Sequence, residues 1–333
     1  MILVTGGRGF IGAHTVRALL DLGEGCVLGQ RAAGPPPALV TEREVRDGRA
    51  VVEPMDCIDL GSVLAAGKRH RVTGIVHLAA AGMGASAPLE ELSANAAGLF
   101  TVLRAAQEWG VGRVVVASTI GVYAGVPGPA LREDAPLPVA SPHAIPAGKK
   151  IAEVVADVAA SSGLDVVTAR IGAIWGPLGR PSSPFFAAPR LVHAAAQDIA
   201  ADGGVAGTVA GTVAGAAAPA YAEDAIDMCY ARDCGRALAL LQTTATPRHR
   251  TYNIGGGRAV ANREVAAAIG RAVPGAEPAL LCALFPGRSP AAPAVDACLD
   301  ISRLRQDTGY APEWDLDRAV TDYVGWLRAG NPR

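Results

Sequence analysis

The sequence is poor in several things, and each scarcity removes a class of function. It has no excess of charge of either sign: 30 Lys and Arg face 31 Asp and Glu, a formal net charge of −1 over 333 residues. No basic stripe is there to track phosphates, so neither nucleic acid nor an anionic membrane surface is an expected partner. No run of about eighteen residues, the length a membrane-spanning helix requires, stays apolar without glycine, proline or charge. Nor does a charged leader with an apolar core open the chain, so a soluble, cytoplasmic protein is expected. Cysteine is sparse and unpatterned. The six thiols, Cys26, Cys57, Cys229, Cys234, Cys282 and Cys298, form no Cys-x-x-Cys pair, which argues for small buried thiols and against a metal site. Apolar residues, by contrast, make up 50% of the chain, enough for a sizeable core in one large domain or two modest ones.

The most informative stretch comes first. Ile2, Leu3 and Val4 read as a short buried strand, Gly6, Gly9 and Gly12 follow at three-residue intervals, and Val16, Leu19 and Leu20 resume at helical spacing. Strand, glycine turn and helix in that order suit a dinucleotide: phosphate reaches backbone N–H groups only where no Cβ intervenes, and a helix N-terminus attracts an anion. Gly6, Gly9, Phe10, Ile11 and Gly12 are therefore the expected pyrophosphate cradle. The second strand, about Gly25 to Gly29, ends at Gln30 and Arg31. An NAD site ordinarily places an acid there for the ribose hydroxyls, whereas an arginine suits a 2′-phosphate. NADP is the preferred cofactor on that ground, with NAD the alternative.

Further along, Val51 to Asp56 predicts a third strand, with Asp56 placed either to accept from an adenine amino group or to cap a following helix, and Cys57 beside it. The strand from Gly74 runs through Leu78 into Ala79 and Ala80, small residues that leave a cofactor room. A helix is expected from Asn95 to Trp109, where Asn95 serves as a cap or a buried polar link. Arg113 to Ser118 is nearly continuous in β-branched residues, as in a central parallel strand, and Ser118, Thr119 and Tyr123 follow at its ligand-binding end. Residues 127–146 read as a loop, then a helix with Pro146 at its first position. Later come a strand from Asp165 to Ile171, a turn at Trp175-Gly-Pro, a low-complexity repeat from Gly203 to Ala218, and a strand from Thr251. A helix capped at Asn262 and an amphipathic run from Leu316 to Leu327 close the chain. The repeat reads either as a flap over the substrate or as a surface loop. The expected fold is α/β: a doubly wound, Rossmann-type parallel sheet over residues 1–170 and a smaller substrate lobe over 171–333, with segments about 221–260 returning to the first part.

Taken together, the pieces resemble the extended short-chain dehydrogenase/reductase family, the NAD-dependent epimerases/dehydratases. The matching residues are Thr5 to Gly12, Val76 to Ala80, Asn95, Ser118 to Gly125, Lys149 with Glu153, Arg170 with Trp175-Gly-Pro177, Tyr230 to Asp233, and Tyr252 to Gly257, in the family's order along nearly the whole chain. The resemblance implies an enzyme with a nicotinamide cofactor, a small polar substrate, often a nucleotide sugar, and a homodimer built on the helices from Asn95 and Ala147. It also implies a reacting group: a Ser or Thr, here Thr119; a Tyr that carries the substrate proton; and a Lys four residues on, here Lys149, that binds the nicotinamide ribose and lowers the Tyr pKa. The tyrosine is missing. Ile145 stands four residues before Lys149, and Pro146 four before Lys150. A positioned acid or base contributes about 10²- to 10⁴-fold, so the loss demands a substitute. His143, two residues ahead of Ile145, is the provisional acid/base, with Tyr123 second. Three readings follow: epimerisation, dehydration or reduction at a hydroxyl or keto carbon with altered proton transfer; the same fold turned to a non-redox isomerisation or cyclisation; and a cofactor-binding sensor without turnover.

Overall fold

The computed structural model describes residues 1–81, 87–181, 183, 185–197, 220–290 and 296–331. Strand and helix alternate through the first half: β1 (Ile2–Thr5), α1 (Phe10–Asp21), β2 (Cys26–Gln30), α2 (Glu42–Arg46), β3 (Ala50–Pro54), α3 (Leu60–His70), β4 (Gly74–His77), α4 (Pro88–Trp109), β5 (Val114–Thr119), β6 (Ala130–Leu131), α5 (Ala144–Ser161) and β7 (Val166–Ile171). The second half runs β8 (Ala173–Trp175), α6 (Ala188–Gln197), β9 (Ala225–Tyr230), α7 (Ala231–Thr243), β10 (Thr251–Ile254), β11 (Ala259–Ala261), α8 (Asn262–Ala272), α9 (Glu277–Cys282), β12 (Cys298–Leu299), α10 (Ser302–Thr308) and α11 (Leu316–Arg328).

Seven strands form one sheet in the order β10-β7-β5-β4-β1-β2-β3, every neighbouring pair parallel. Successive side chains on a strand point to opposite faces, and the two cores obey that period. Val4, Val115 and Val167 join one core with Val16, Leu20 and Leu238 of α1 and α7; Leu3, Val114 and Val116 join the other with Val63, Val102 and Ala156 of α3, α4 and α5. Helices thus cover both faces, and the near-continuous apolar strands follow from that double burial. Strand order reverses between β1 and β4. A crevice opens beyond the carboxyl ends of the strands at such a point. A third core, with Trp175, Leu191, Ile269, Val320 and Tyr323, joins α6, α8 and α11.

Several boundaries differ from the sequence expectation. The fourth helix begins at Pro88, not Asn95, so Asn95 lies in its interior and caps nothing. The fifth begins at Ala144, which makes Pro146 its third residue; its missing N–H costs no bond, because the first four N–H groups of a helix have no intrahelical acceptor. Asn262 is the first residue of α8, not its cap: Glu264 accepts from the Ala261 N–H at 2.9 Å, and the Asn262 amide donates to the Tyr221 carbonyl at 2.7 Å. The Gly203 to Ala218 repeat lies outside the described residues. Among those described, no helix is long and apolar enough to cross a membrane.

One buried carboxylate joins β9, the turn after β10 and β12. Asp227, with no exposed surface, accepts from the backbone N–H groups of Gly256 at 2.6 Å, Leu299 at 2.9 Å and Gly257 at 3.3 Å. Burial nevertheless lifts its pKa to about 6. Asp227→Asn places an amide N–H₂ against backbone donors, leaving one or two of them unpaired. The expected loss is about 2–4 kcal/mol of unfolding free energy, read by urea denaturation.

Candidate active site

The cradle is built from backbone. Gly6 has φ +69°, a left-handed conformation that favours glycine, and the Gly9 N–H donates to the Gly6 carbonyl at 2.8 Å. A Cβ at Gly12 would lie 2.1 Å from the Gly6 oxygen, so α1 packs this closely on the turn only because position 12 has no side chain. The first turn of α1 carries no acid and no side-chain cap. Its positive end, with the N–H groups of Phe10, Ile11 and Gly12, is left for an anion. These residues fit a pyrophosphate.

From this turn a cleft of about 340 Å³ runs across the ends of β1, β2 and β4. Gly6, Gly9, Arg31, Asp56, Cys57, Leu78, Ala79 and Ala80 line it, as the sequence suggested; Gln30, His77, Ala81 and Asn95 line it as well. The cap of α3 is Asp59, which accepts from Gly61 and Ser62, so Asp56 stays on the cleft wall, where it accepts from the Ile58 N–H at 3.2 Å. Burial pushes the Cys57 thiol up to about 11, which keeps it protonated. Gln30, with its amide oxygen turned toward donors, accepts from the backbone N–H of Arg8 at 2.7 Å and of Gly7 at 3.2 Å. The end of β2 is therefore tied to the glycine turn by a neutral amide where an NAD site ordinarily places an acid.

Thr5 organises the neighbouring strand end. Its Oγ1 accepts from the N–H groups of Leu78 and Ala79, each at 3.1 Å, so its own hydrogen goes to His77 Nδ1 at 2.8 Å. That bond leaves the imidazole proton on Nε2. Burial lowers the His77 pKa to about 3, and the ring is neutral throughout the physiological range.

His77 also lines a second, inner cavity of about 160 Å³, which shares Ala79, Ala80, Ala81 and Asn95 with the cleft. Asn95 Oδ1 accepts from the Ala81 N–H at 2.7 Å, which makes it the polar link between α4 and the segment after β4. From α5, Ile145 and Lys149 face this cavity together, as two residues four apart on one helix should. Lys149 Nζ donates to the Ala117 carbonyl at 2.8 Å, and burial lowers its pKa to about 8. Thr119 ends β5, half-buried; its Oγ1 accepts from the Gly121 N–H at 3.3 Å and keeps a hydrogen to donate.

Two catalytic candidates stand elsewhere. Tyr123 is 3% exposed, and its hydroxyl donates to Asn253 Oδ1 at 2.8 Å while accepting from Arg170 Nη1 at 2.8 Å. The guanidinium lies 4.8 Å from its ring centroid and is paired with Glu153 at 2.7 Å; Ser118 donates to the same carboxylate. This network holds the end of β5 from behind, and burial raises the Tyr123 pKa. The phenol hydroxyl thus makes both bonds inside the protein. His143 is exposed at the head of α5, its ring stacked on Phe185 with centroids 6.4 Å apart. Ala144 and Ile145 line the inner cavity; His143 does not.

A doubly wound parallel sheet, a glycine cradle at its switch point and a lysine on the helix after β5 define the extended short-chain dehydrogenase class. The chain belongs to the NAD-dependent epimerase/dehydratase family, whose model matches residues 2–255, and it is an enzyme of that type. It is 28% identical to a UDP-glucose 4-epimerase of Azospirillum brasilense, over 98% of this chain and 92% of the relative. Similar solved structures include a UDP-glucose 4-epimerase from Thermus thermophilus in complex with NAD, with a TM-score of 0.74, 24% identity and 98% of each chain covered. A dTDP-glucose 4,6-dehydratase double mutant from Streptomyces venezuelae, with NAD bound, has a TM-score of 0.75 and 25% identity over 98% of this chain and 97% of that one.

Proposed function

We propose that the chain is an NADP-preferring enzyme acting on a hydroxyl-bearing carbon of a nucleotide sugar, by epimerisation or dehydration. The observation that carries this reading is the continuity of the glycine-cradled cleft with the cavity that holds Lys149. The relatives named for UDP-glucose and dTDP-glucose chemistry support the substrate class. Bound NADP would exchange a hydride with that carbon. Lys149 would hold the nicotinamide ribose, and Thr119 would donate to the substrate oxygen. Incubation with UDP-glucose or dTDP-glucose is expected to reduce bound NADP, seen in the near-ultraviolet absorbance of the nicotinamide. Tight NADP binding with no reduction by either sugar would instead mark a sensor.

Cofactor preference rests on two arginines at the adenosine end. Arg31 is exposed on the cleft rim, and Arg8 reaches the same segment with its Nη1 donating to the Ala32 carbonyl at 3.2 Å. Gln30 replaces the acid that would repel a 2′-phosphate. Each charge-assisted contact to that phosphate is worth about 1.5–3 kcal/mol, so Arg31→Ala is expected to weaken NADP roughly 10- to 100-fold. NAD affinity should barely change, and calorimetry with both dinucleotides reads the difference.

The same reading divides the chain near residue 170, with the segment 221–260 returning to the dinucleotide-binding part; β10 beside β7 and the packing of α7 on α1 support it. It also makes the enzyme a homodimer. Phe100 on α4 and Val154 and Val158 on α5 are all more than half exposed, an apolar face that a second copy would cover. Val154→Glu with Val158→Glu is expected to give a monomer by light scattering. All six thiols are free, which fits a reducing, cytoplasmic setting.

A further inference from the structure

We propose that Lys149, in place of the missing phenol, takes up and returns the hydroxyl proton of the substrate. The inference rests on the reading of the cleft as a nicotinamide dinucleotide site. It begins with the register of α5. Ile145 presents hydrocarbon to the inner cavity one turn before Lys149, and Pro146 cannot titrate. Among the described residues, the titratable side chains on the walls of this cavity are His77 from β4, Glu91 from α4 and Lys149 itself. His77 is held neutral with its proton on Nε2 by the Thr5 hydroxyl, so it offers a hydrogen bond and no base. Behind the strand end, Glu153 of α5 is already engaged by Arg170 of β7 and by Ser118.

Lys149 stands on the wall of the cavity itself. Its amine reaches one carbonyl, Ala117, and among the described residues no carboxylate comes within ion-pair distance of it. Burial without an anion disfavours the charged form, and that alone brings the amine to about 8. Roughly one amine in ten is then neutral at pH 7, a usable base population, and the conjugate ammonium is a comparably matched acid. In the oxidising direction the neutral amine accepts the proton of the substrate O–H as the C–H electron pair leaves with its hydrogen to the nicotinamide. A C=O bond and an ammonium remain. The return step delivers hydride to the carbonyl carbon and the ammonium proton to its oxygen. Oxidation should therefore accelerate as pH rises through about 8, and reduction should slow.

The full chain contains three lysines, Lys68, Lys149 and Lys150, so ε-¹³C lysine resonances are few and Lys149→Arg assigns the one of interest. On ligand-free protein, the Lys149 resonance is expected to titrate near 8; a midpoint in the ordinary range above about 10 would overturn the proposal. Lys149→Arg keeps a cation but cannot deprotonate. With the cofactor saturating, as checked by calorimetry, it is expected to slow reduction of the bound cofactor by UDP-glucose at least about 100-fold and to lose the pH limb. Ile145→Tyr added to Lys149→Arg should recover at least about tenfold, because it restores a phenol beside a cation. A Lys149→Arg enzyme with the wild-type rate would overturn the assignment. So would loss of the pH limb on Glu91→Gln or His143→Ala substitution with Lys149 intact. If wild type binds no NADP, or UDP-glucose and dTDP-glucose both leave the bound cofactor oxidised, the reading of the site fails as well; the lysine midpoint is measured independently of either.

Discussion

Gly12→Ala is expected to abolish dinucleotide binding, with NADP affinity falling at least about 100-fold, the equivalent of one or two lost charge-assisted hydrogen bonds. The added Cβ meets three backbone atoms and no yielding side chain: the Gly6 oxygen at 2.1 Å, and the Gly6 carbonyl carbon and Gly7 Cα at 2.9 Å each. Relief requires the start of α1 to move off the turn, which carries the N–H groups of Phe10 and Ile11 away from the pyrophosphate. Gly9→Ala is the internal comparison. Its Cβ would stand 3.1 Å from the Gly6 oxygen, a contact that a shift of a few tenths of an ångström relieves, so a much smaller loss is expected. Calorimetric titration of both variants with NADP, alongside their melting temperatures, separates loss of the cradle from loss of the fold.

Arg170→Leu should be the most destabilising single change in the strand core, at about 3–5 kcal/mol of unfolding free energy. The guanidinium is 5% exposed. It donates to both oxygens of Glu153, to the Tyr123 hydroxyl at 2.8 Å and to the Glu133 carbonyl at 3.2 Å. Removing it leaves the Glu153 carboxylate buried with, among the described residues, the Ser118 hydroxyl as its remaining hydrogen-bond donor, and takes the Arg170 bond from the Tyr123 hydroxyl. Replacing both members, Arg170→Leu with Glu153→Leu, should recover part of the loss, since a buried pair taken out together leaves no orphaned charge. Urea denaturation of the two variants tests this. Equal stability of single and double variants would show that the ion pair is not what holds the end of β5.

What can be read from the sequence follows the range of the forces involved. The glycine turn and the alternation of strand and helix are local patterns, legible in a few consecutive residues, and Gly6, Gly9, Leu78, Ala79 and Ala80 line the cleft as expected. The partners of the Tyr123 hydroxyl, Arg170 and Asn253, lie 47 and 130 residues away, beyond what the sequence around it shows. A hydroxyl beside a reactive strand end looks available until the chain folds a guanidinium against it. His77 escapes notice for the same reason: Thr5, which sets its tautomer, is 72 residues distant. His143 attracts attention by nearness in sequence to Ile145. Two residues at a helix start are about 200° apart around the axis, and the cavity takes the one and not the other. Gln30 carries a readable signal in the absence of an acid, but its bond to the glycine turn becomes evident only when β1 and β2 lie side by side.

The measurement that bears most directly on the whole is a calorimetric titration of the wild-type chain with NADP and, separately, with NAD. NADP is expected to bind at least about tenfold more tightly than NAD, with Arg31→Ala erasing most of the gap. Heat from neither dinucleotide would contradict the assignment of the cleft, and tighter binding of NAD would contradict the role given to Gln30, Arg31 and Arg8.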